Sequence, residues 1–288
     1  MIRKALQGYE RPLLFAHRGL SSLAPENTMV AFALAMEMKI PGIELDVHLC
    51  KSGELLVMHD SSFARTGRLA VPENNTVQIP APDAKIEDLT YSQVQLFDIG
   101  VWKDTKFKGE KVHTLAEVLS FLDPQIYVDI EIKTESFDCK EIAKVTAQVI
   151  TNELEKRPEN PNRYIVSSFN PVALRHFRKY SKIPTAIIYS NESGVPSYLR
   201  KGQGSWIGNT DLLKPCWKDY DIANNAETSI DSNSLQKNKI SLTKIKKRSK
   251  KSWFWTIDTK ETALELLEYG AEALISNRPQ DLLPLLQK

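Results

Sequence analysis

The sequence predicts an α/β barrel of eight parallel strands, and three observations support this fold class. Short apolar, β-branched runs recur along the chain with helical segments between them, which is typical of a parallel sheet with helical crossovers. The chain has 288 residues, and one barrel of this kind fills about 250 residues. Hydrophobic residues make up 42% of the chain and charged residues 26%, so one large core is expected. We therefore predict a single domain over residues 1–288.

Nine runs are candidate strands, one more than the barrel needs. The second and third runs are separated only by residues 50–54, whereas a parallel crossover takes about a dozen residues or more. We therefore expect the third run to pair antiparallel, as a hairpin arm, and the other eight to close the barrel. The nine runs are Leu13–His17, Gly42–Leu49, Leu55–His59, Ile126–Lys133, Arg163–Phe169, Thr185–Ser190, Tyr220–Asn224, Trp253–Ile257 and Ala273–Ser276.

Helices are predicted between the strands, beginning at residues that cap helix N-termini. The candidate starts are Asn27 or Thr28, a capping box of Thr114 with Glu117, Asn170 before Pro171, and Asp258 with Glu261 in a helix that stops at Gly270. Residues 61–111 lack the strand–helix repeat and contain one helix candidate near Glu87–Asp98. We expect this stretch to form a small insertion over the barrel mouth, after the first two strands.

Charge and composition exclude several function classes. Lys and Arg total 38 against 36 Asp and Glu, a net charge of +2, which gives no reason to expect a nucleic-acid partner. No apolar run approaches the roughly 18 to 20 residues of a membrane-spanning helix. The basic run Lys244–Lys251 is typical of a solvated helix face, and a weak contact with a membrane surface is the alternative.

The N-terminus and the cysteines predict a cytoplasmic location. The first residues contain no apolar stretch typical of a secretory signal. The three cysteines, Cys50, Cys139 and Cys216, are odd in number and widely spaced. We expect them to be reduced thiols, as in a reducing compartment.

Carboxylates interrupt two of the most apolar runs. Glu44 and Asp46 are two residues apart, which places both on one face of a strand, and Asp129, Glu131 and Lys133 repeat this spacing. Charges on such strands are costly unless they are paired or bound to a metal. Two carboxylates at a barrel mouth offer the oxygen ligands that a hard divalent cation prefers.

Two histidines stand at the ends of strand candidates, where His17 precedes Arg18 and His59 precedes Asp60. Two histidines suit proton transfer, because one can take a proton from the nucleophile and the other can give one to the leaving group. Arg18 and Lys133 supply fixed positive charge for a phosphate. These residue types at strand ends indicate a metal-assisted phosphoryl-transfer site.

Eight short motifs follow one another along nearly the whole chain. They are His17-Arg18-Gly19, Pro25-Glu26-Asn27-Thr28, Glu44-Leu45-Asp46-Val47, His59-Asp60, Glu131-Ile132-Lys133, Ser167-Ser168-Phe169-Asn170, Trp255-Thr256 and Ile275-Ser276-Asn277-Arg278-Pro279. Each is weak alone, but the ordered set resembles the glycerophosphodiester phosphodiesterase family. The resemblance implies a TIM-type (β/α)8 barrel that hydrolyses small glycerophosphodiesters to an alcohol and glycerol 3-phosphate.

The resemblance also implies the parts of the site. In the family, a neighbouring glycerol hydroxyl is thought to attack phosphorus through a cyclic phosphate. The implied residues are Glu44, Asp46 and Glu131 as ligands of one divalent cation, Mg²⁺ or Ca²⁺, His17 and His59 as the general acid/base pair, Arg18 and Lys133 as phosphate contacts, and Trp255 on the glycerol side.

The chain departs from the family pattern at two positions, and two other interpretations stay open. Asp258 stands where Asn is frequent after the Trp-Thr pair, and Asn277 stands where Asp is frequent. Residues 189–238 match poorly, which bears on head-group preference. The alternatives are lysophospholipase D-like hydrolysis of a substrate that keeps an acyl chain, and a barrel that binds a phosphate ligand without catalysis. Retention of both histidines and all three carboxylates counts against the second.

Overall fold

A computed structural model describes residues 12–134, 136, 138–222, 240–241 and 251–286. The strands there are β1 (Leu13–His17), β2 (Gly42–Leu49), β3 (Leu55–Val57), β4 (Arg68–Leu69), β5 (Phe97–Asp98), β6 (Tyr127–Ile132), β7 (Tyr164–Ser168), β8 (Thr185–Tyr189), β9 (Leu212–Pro215), β10 (Tyr220–Asp221), β11 (Ile240–Ser241), β12 (Trp253–Phe254) and β13 (Ala273–Ser276). The α-helices are α1 (Met29–Glu37), α2 (Tyr91–Val94), α3 (Leu115–Phe121), α4 (Lys140–Lys156), α5 (Pro171–Tyr180), α6 (Gly204–Gly208), α7 (Lys260–Glu268) and α8 (Pro279–Leu286).

Eight strands form a parallel barrel in the order β12-β13-β1-β2-β6-β7-β8-β9. The two ends of this path meet where Leu213 pairs with Ser252 and Cys216 pairs with Trp255, both in parallel, so the barrel is nearly closed. The run predicted as the hairpin arm, β3, pairs antiparallel with the outer half of β2. The predicted (β/α)8 barrel and its hairpin arm are therefore confirmed.

The prediction was wrong at the sixth barrel strand, which is β9 and not the run Tyr220–Asn224. Residues 220–221 form β10, which pairs with β11 outside the barrel, and residues 223–224 lie outside the described residues. The sequence hides β9 because this short strand carries Lys214 and ends at Pro215, which removes the apolar pattern. Lys214 is buried because it pairs with Asp129 at 2.7 Å inside the barrel.

The barrel interior has an apolar floor and a polar mouth. Phe15 and Trp253 belong to the floor, with ring centroids 4.9 Å apart. In the strand register Phe15 lies beside Gly42, and Glu44 and Asp46 follow toward the carboxyl end of β2. The polar side chains therefore collect at the carboxyl ends of the strands, the face where barrels of this class place their sites.

Residues 61–111 lie between the arm and α3 and have an apolar cluster of their own. There β4 pairs antiparallel with β5. The helix predicted near Glu87–Asp98 is shorter than expected, because only residues 91–94 form α2 and residues 97–98 belong to β5. The cluster joins the arm through Leu56 and Met58 and contains Phe63, Ile86, Leu89, Val94, Phe97 and Ile99.

Three predicted helix starts are confirmed, with Thr28, Thr114 and Asn170 each accepting a hydrogen bond from the first turn. The fourth was wrong by one residue, because Thr259 caps α7 by accepting from the backbone N–H of Thr262. Asp258 instead bonds Asn277, in the loop after β13.

None of the helices in the described ranges is long and apolar enough to cross a membrane. Of the basic run Lys244–Lys251, residues 244–250 lie outside the described residues. Lys251 pairs with Glu272 at 2.7 Å.

Candidate active site

Three buried carboxylates meet at the carboxyl ends of β2 and β6. Glu44, Asp46 and Glu131 each offer an oxygen, and these atoms all lie within 4.8 Å of one another. Alternation along each strand and the pairing of Asp46 with Glu131 bring them together. Burial and the neighbouring charge of Asp46 raise the pKa of Glu44 well above its usual range. The cluster therefore concentrates more negative charge than the buried site readily holds.

This cluster fits a divalent cation. Asp46 Oδ1 and Glu131 Oε1 are both buried oxygens. Lys133 Nζ lies 3.1 Å from the first and 2.6 Å from the second, so a cationic group already lies beside both oxygens. Carboxylate oxygens are the ligands that Mg²⁺ and Ca²⁺ prefer, and these residues could hold such an ion.

Two cations flank the carboxylates. Arg18 donates to Glu26 at 2.9 Å, and its Nε lies 3.4 Å from Asp46 Oδ2. Burial opposes charge on Lys133, but Asp46 and Glu131 raise its pKa above the usual range. Burial likewise opposes charge on Asp46, but Lys133 and Arg18 lower its pKa. Both cations and Asp46 therefore stay charged at neutral pH.

The loop after β1 is held in an unusual backbone conformation that aims these groups. Arg18 and Asn27 both have φ of +58°, and the Asn27 amide donates to Asp46 Oδ2 at 2.9 Å. Gly19 has φ of +78°, and a Cβ there would lie 2.8 Å from Ala31, so this glycine is required by close packing against α1. The sequence did not single out Asn27 as a partner of Asp46.

His17 is mostly buried at the end of β1. Its Nδ1 lies 2.6 Å from Asn277 Oδ1, and its Nε2 lies 3.9 Å from Glu44 Oε2. Burial and the charge of Arg18 lower the pKa of His17 to about 3. The ring is therefore neutral at neutral pH and able to accept a proton.

His59 follows the arm and is tied to the insertion. Its Nδ1 lies 2.7 Å from Asp60 Oδ1, and Asp60 Oδ2 accepts from Arg65 Nε at 2.6 Å. Both terminal nitrogens of Arg65 donate to Glu26, at 3.0 and 2.6 Å, the carboxylate that also holds Arg18. Arg65 was not among the predicted site residues, because nothing in the sequence shows that it pairs with Glu26, 39 residues away.

Trp255 lies at the rim on the side of β9 and β12. Its indole N–H donates to the carbonyl of Lys214 at 2.9 Å, and its ring meets Phe169 edge to face at 5.7 Å. These two contacts fix the orientation of the Trp255 indole ring.

Asp129, which repeats the carboxylate pattern on β6, belongs to a layer beneath the mouth. Its two oxygens meet Lys214 at 2.7 Å and the hydroxyl of Ser167 at 2.7 Å. Lys214 Nζ also donates to Ser167 at 3.0 Å. These bonds neutralise Asp129 and distinguish it from the three carboxylates above.

Two glycerophosphodiester phosphodiesterases are similar to this chain in sequence. A glycerophosphodiester phosphodiesterase from Caldanaerobacter subterraneus subsp. tengcongensis is 28% identical over 280 residues, which cover 96% of this chain and 99% of that protein. A glycerophosphodiester phosphodiesterase from Bacillus subtilis is 30% identical over 173 residues, 57% of this chain and 55% of that protein.

Solved structures show the same fold. An Oleispira antarctica phosphodiesterase in complex with the product sn-glycerol-3-phosphate matches with a TM-score of 0.72 at 23% identity, covering 96% of this chain and 98% of that one. A Thermotoga maritima glycerophosphodiester phosphodiesterase matches with a TM-score of 0.63 at 22% identity, covering 96% and 99%. Residues 17–281 match the profile described as the glycerophosphoryl diester phosphodiesterase family. Because the profile covers nearly the whole barrel, the chain belongs to the glycerophosphoryl diester phosphodiesterase family.

Proposed function

We propose that this phosphodiesterase hydrolyses glycerophosphodiesters to an alcohol and glycerol 3-phosphate, using two histidines and one divalent cation, Mg²⁺ or Ca²⁺. The observation that carries the proposal is the meeting of three buried carboxylates with two charged cationic side chains at one barrel mouth. A phosphodiester is an anion, and such a set binds its oxygens and tolerates the charge that develops on them. Membership of the family supports the same chemistry.

The chemical type of each side chain assigns it to the divalent cation or to the phosphate. Glu44, Asp46 and Glu131 would hold the divalent cation, which when bound supplies charge stabilisation for the phosphoryl oxygens. Arg18 and Lys133 would donate to the same phosphate. Trp255 would pack against the glycerol carbons.

The histidines divide the proton transfers between them. His17 accepts the proton of the attacking glycerol hydroxyl at Nε2, and that oxygen forms a bond to phosphorus. The bond from phosphorus to the departing alcohol breaks, and His59 gives the alcohol oxygen a proton. In the second stage His59 takes a proton from water, which opens the cyclic phosphate, and His17 returns its proton to the glycerol oxygen.

The fold supports two further parts of the proposal. Residues 61–111 share an apolar cluster with the arm, which favours one domain over residues 1–288 with these residues as an insertion. All three cysteines are buried thiols, which favours a reducing compartment such as the cytoplasm.

A substrate panel with chelation tests the proposal. We expect the purified protein to release glycerol 3-phosphate from glycerophosphocholine, glycerophosphoethanolamine or glycerophosphoinositol. EDTA should abolish the activity, and Mg²⁺ or Ca²⁺ should restore it. The Glu131→Gln variant should lose most of the activity, and Glu87→Gln, on an exposed side chain, should keep it.

The outcomes separate the alternatives. Release of a phosphorylated head group instead of glycerol 3-phosphate would contradict the proposed bond cleavage. Full activity in EDTA would remove the cation from the mechanism. Faster turnover of lysophospholipids than of deacylated diesters would favour the lysophospholipase D-like alternative.

A further inference from the structure

A chain of hydrogen bonds runs to His17 from the loop after β12. Asp258 Oδ1 accepts the backbone N–H of Asn277 at 2.8 Å and the hydroxyl of Ser276 at 3.2 Å. Asp258 Oδ2 accepts from the side-chain amide of Asn277 at 2.8 Å. The oxygen of that amide lies 2.6 Å from His17 Nδ1. Neither Asp258 nor Asn277 has a role among the metal, phosphate or proton-transfer residues proposed above.

The donor and acceptor types along this chain allow one arrangement. An ionised carboxylate only accepts hydrogen bonds, so the NH₂ group of Asn277 must face Asp258 and its carbonyl oxygen must face His17. That oxygen also only accepts, and it takes a second bond from the hydroxyl of Ser21 at 3.3 Å. His17 must therefore carry its proton on Nδ1, which leaves a lone pair on Nε2.

We propose that Asp258 is a positioning residue that sets the tautomer of His17 through Asn277. The bonds fix the proton on Nδ1 and so place the accepting nitrogen, Nε2, on the side of Glu44, 3.9 Å from Oε2. The consequence for catalysis rests on the proposed function, in which His17 accepts a proton at Nε2. The tautomer itself is set whether or not that role is correct, so the two can be tested apart.

The variant Asp258→Asn makes the sharpest test, because it keeps the shape of the side chain and changes one acceptor into a donor. The side-chain oxygen that remains at position 258 should still accept the backbone N–H of Asn277. The new NH₂ group would then face the NH₂ group of Asn277. We expect the Asn277 amide to turn over, since its oxygen can then accept that bond. Its NH₂ group would point at His17 Nδ1, and the proton of His17 would move to Nε2.

Nitrogen-15 NMR of histidine-labelled protein reads the tautomer directly, with the His17 signals assigned from their loss in His17→Gln. We expect the Nδ1–H form in the wild-type protein and the Nε2–H form in Asp258→Asn. The kcat of that variant should fall by about 100-fold or more, the usual scale of a lost general base, with KM changed much less. The exchange variant Asp258→Asn with Asn277→Asp should restore the Nδ1–H form and most of kcat, because the carboxylate at 277 again accepts from His17.

Two more variants complete the test. Asp281→Asn changes a carboxylate on α8 that bonds Arg278, and it should alter neither the tautomer nor kcat. Asn277→Ala removes the acceptor and should give a mixture of tautomers, which provides an independent reading if Asp258→Asn fails to fold. An unchanged Nδ1–H form in either Asp258→Asn or Asn277→Ala would overturn the inference. A changed tautomer with unchanged kcat would uphold the inference and overturn the proposed role of His17.

Discussion

Side-chain partners separate the histidines of the site from those outside it. The side chains of His59 and His113 are almost equally exposed, at 30% and 31%. His59 Nδ1 is bonded to Asp60, which belongs to the network around Glu26. His113 Nδ1 instead lies 3.7 Å from Glu117, in the first turn of α3.

We expect His59→Ala to lower kcat by about 100- to 10,000-fold, the range for a lost acid/base group. The side chain is partly exposed and leaves little buried space behind, so folding should be unaffected. His113→Ala is the matched control, and its kcat should equal that of the wild-type protein. Steady-state kinetics and thermal unfolding of both variants make the comparison, and a near-normal kcat for His59→Ala would remove it from the acid/base pair.

Residues could be predicted where a charge interrupts an apolar strand near its end. Glu44, Asp46 and Glu131 are of this kind, because their burial on such strands requires a counter-charge. Partners that reach across the mouth from distant loops could not be predicted. Asn277 lies 260 positions from His17, and neither residue type alone indicates the other.

At the scale of elements, the sequence predicts strands by apolar content and connections by length. Loop length identified the antiparallel arm because residues 50–54 cannot make a crossover. Apolar content missed β9 because Lys214 is compensated by Asp129 on β6, a tertiary contact that local pattern does not contain. Nothing in the pattern of residues 61–111 indicated that this stretch contributes to the site.

That contribution is Arg65, which links the two sides of the mouth. One guanidinium bonds both oxygens of Glu26, which holds Arg18, and also bonds Asp60, which holds His59. We expect Arg65→Gln to lower kcat/KM by roughly tenfold or more, because Arg18 and His59 both lose an orienting contact. The free energy of unfolding should change by less than about 1 kcal/mol, since partly exposed ion pairs contribute little.

Arg68→Gln is the control for this prediction. Arg68 lies in the same insertion and donates to the backbone carbonyls of Arg65 and Gly67. We expect the kinetics of Arg68→Gln to match those of the wild-type protein. Arg65→Lys keeps the positive charge but lacks the planar guanidinium that bonds both oxygens of Glu26, so it should recover only part of kcat/KM. Equal kinetics for Arg65→Gln and the wild-type protein would show that the insertion does not position these groups.

At the scale of the whole molecule, stability depends on the same carboxylates that would bind the cation, and protons compete with the cation for them. Burial and neighbouring negative charge raise the pKa of Glu44, so the folded protein without a cation keeps a proton there that the unfolded chain loses above about pH 4.3. This contribution to stability is complete below that pH and is lost as the pH rises toward the pKa of the folded state. Asp46 behaves oppositely, because its lowered pKa makes its contribution fall only in acid, below about pH 4.

A divalent cation should therefore raise Tm more at about pH 8 than at about pH 5, because the ion must displace the Glu44 proton at the lower pH. At a concentration of 100 times Kd, the stabilisation is about 2.7 kcal/mol, or roughly 5 to 10 °C for a chain of this size. Thermal unfolding with saturating Mg²⁺ or Ca²⁺ and with EDTA, at both pH values, measures the difference. In Glu44→Gln, any remaining cation-induced rise in Tm should lose most of this pH dependence, because Gln does not titrate. The loss of stability below about pH 4 should persist in that variant, because Asp46 still titrates. A cation-induced shift of equal size at both pH values in the wild-type protein would mean that the ion does not bind through Glu44.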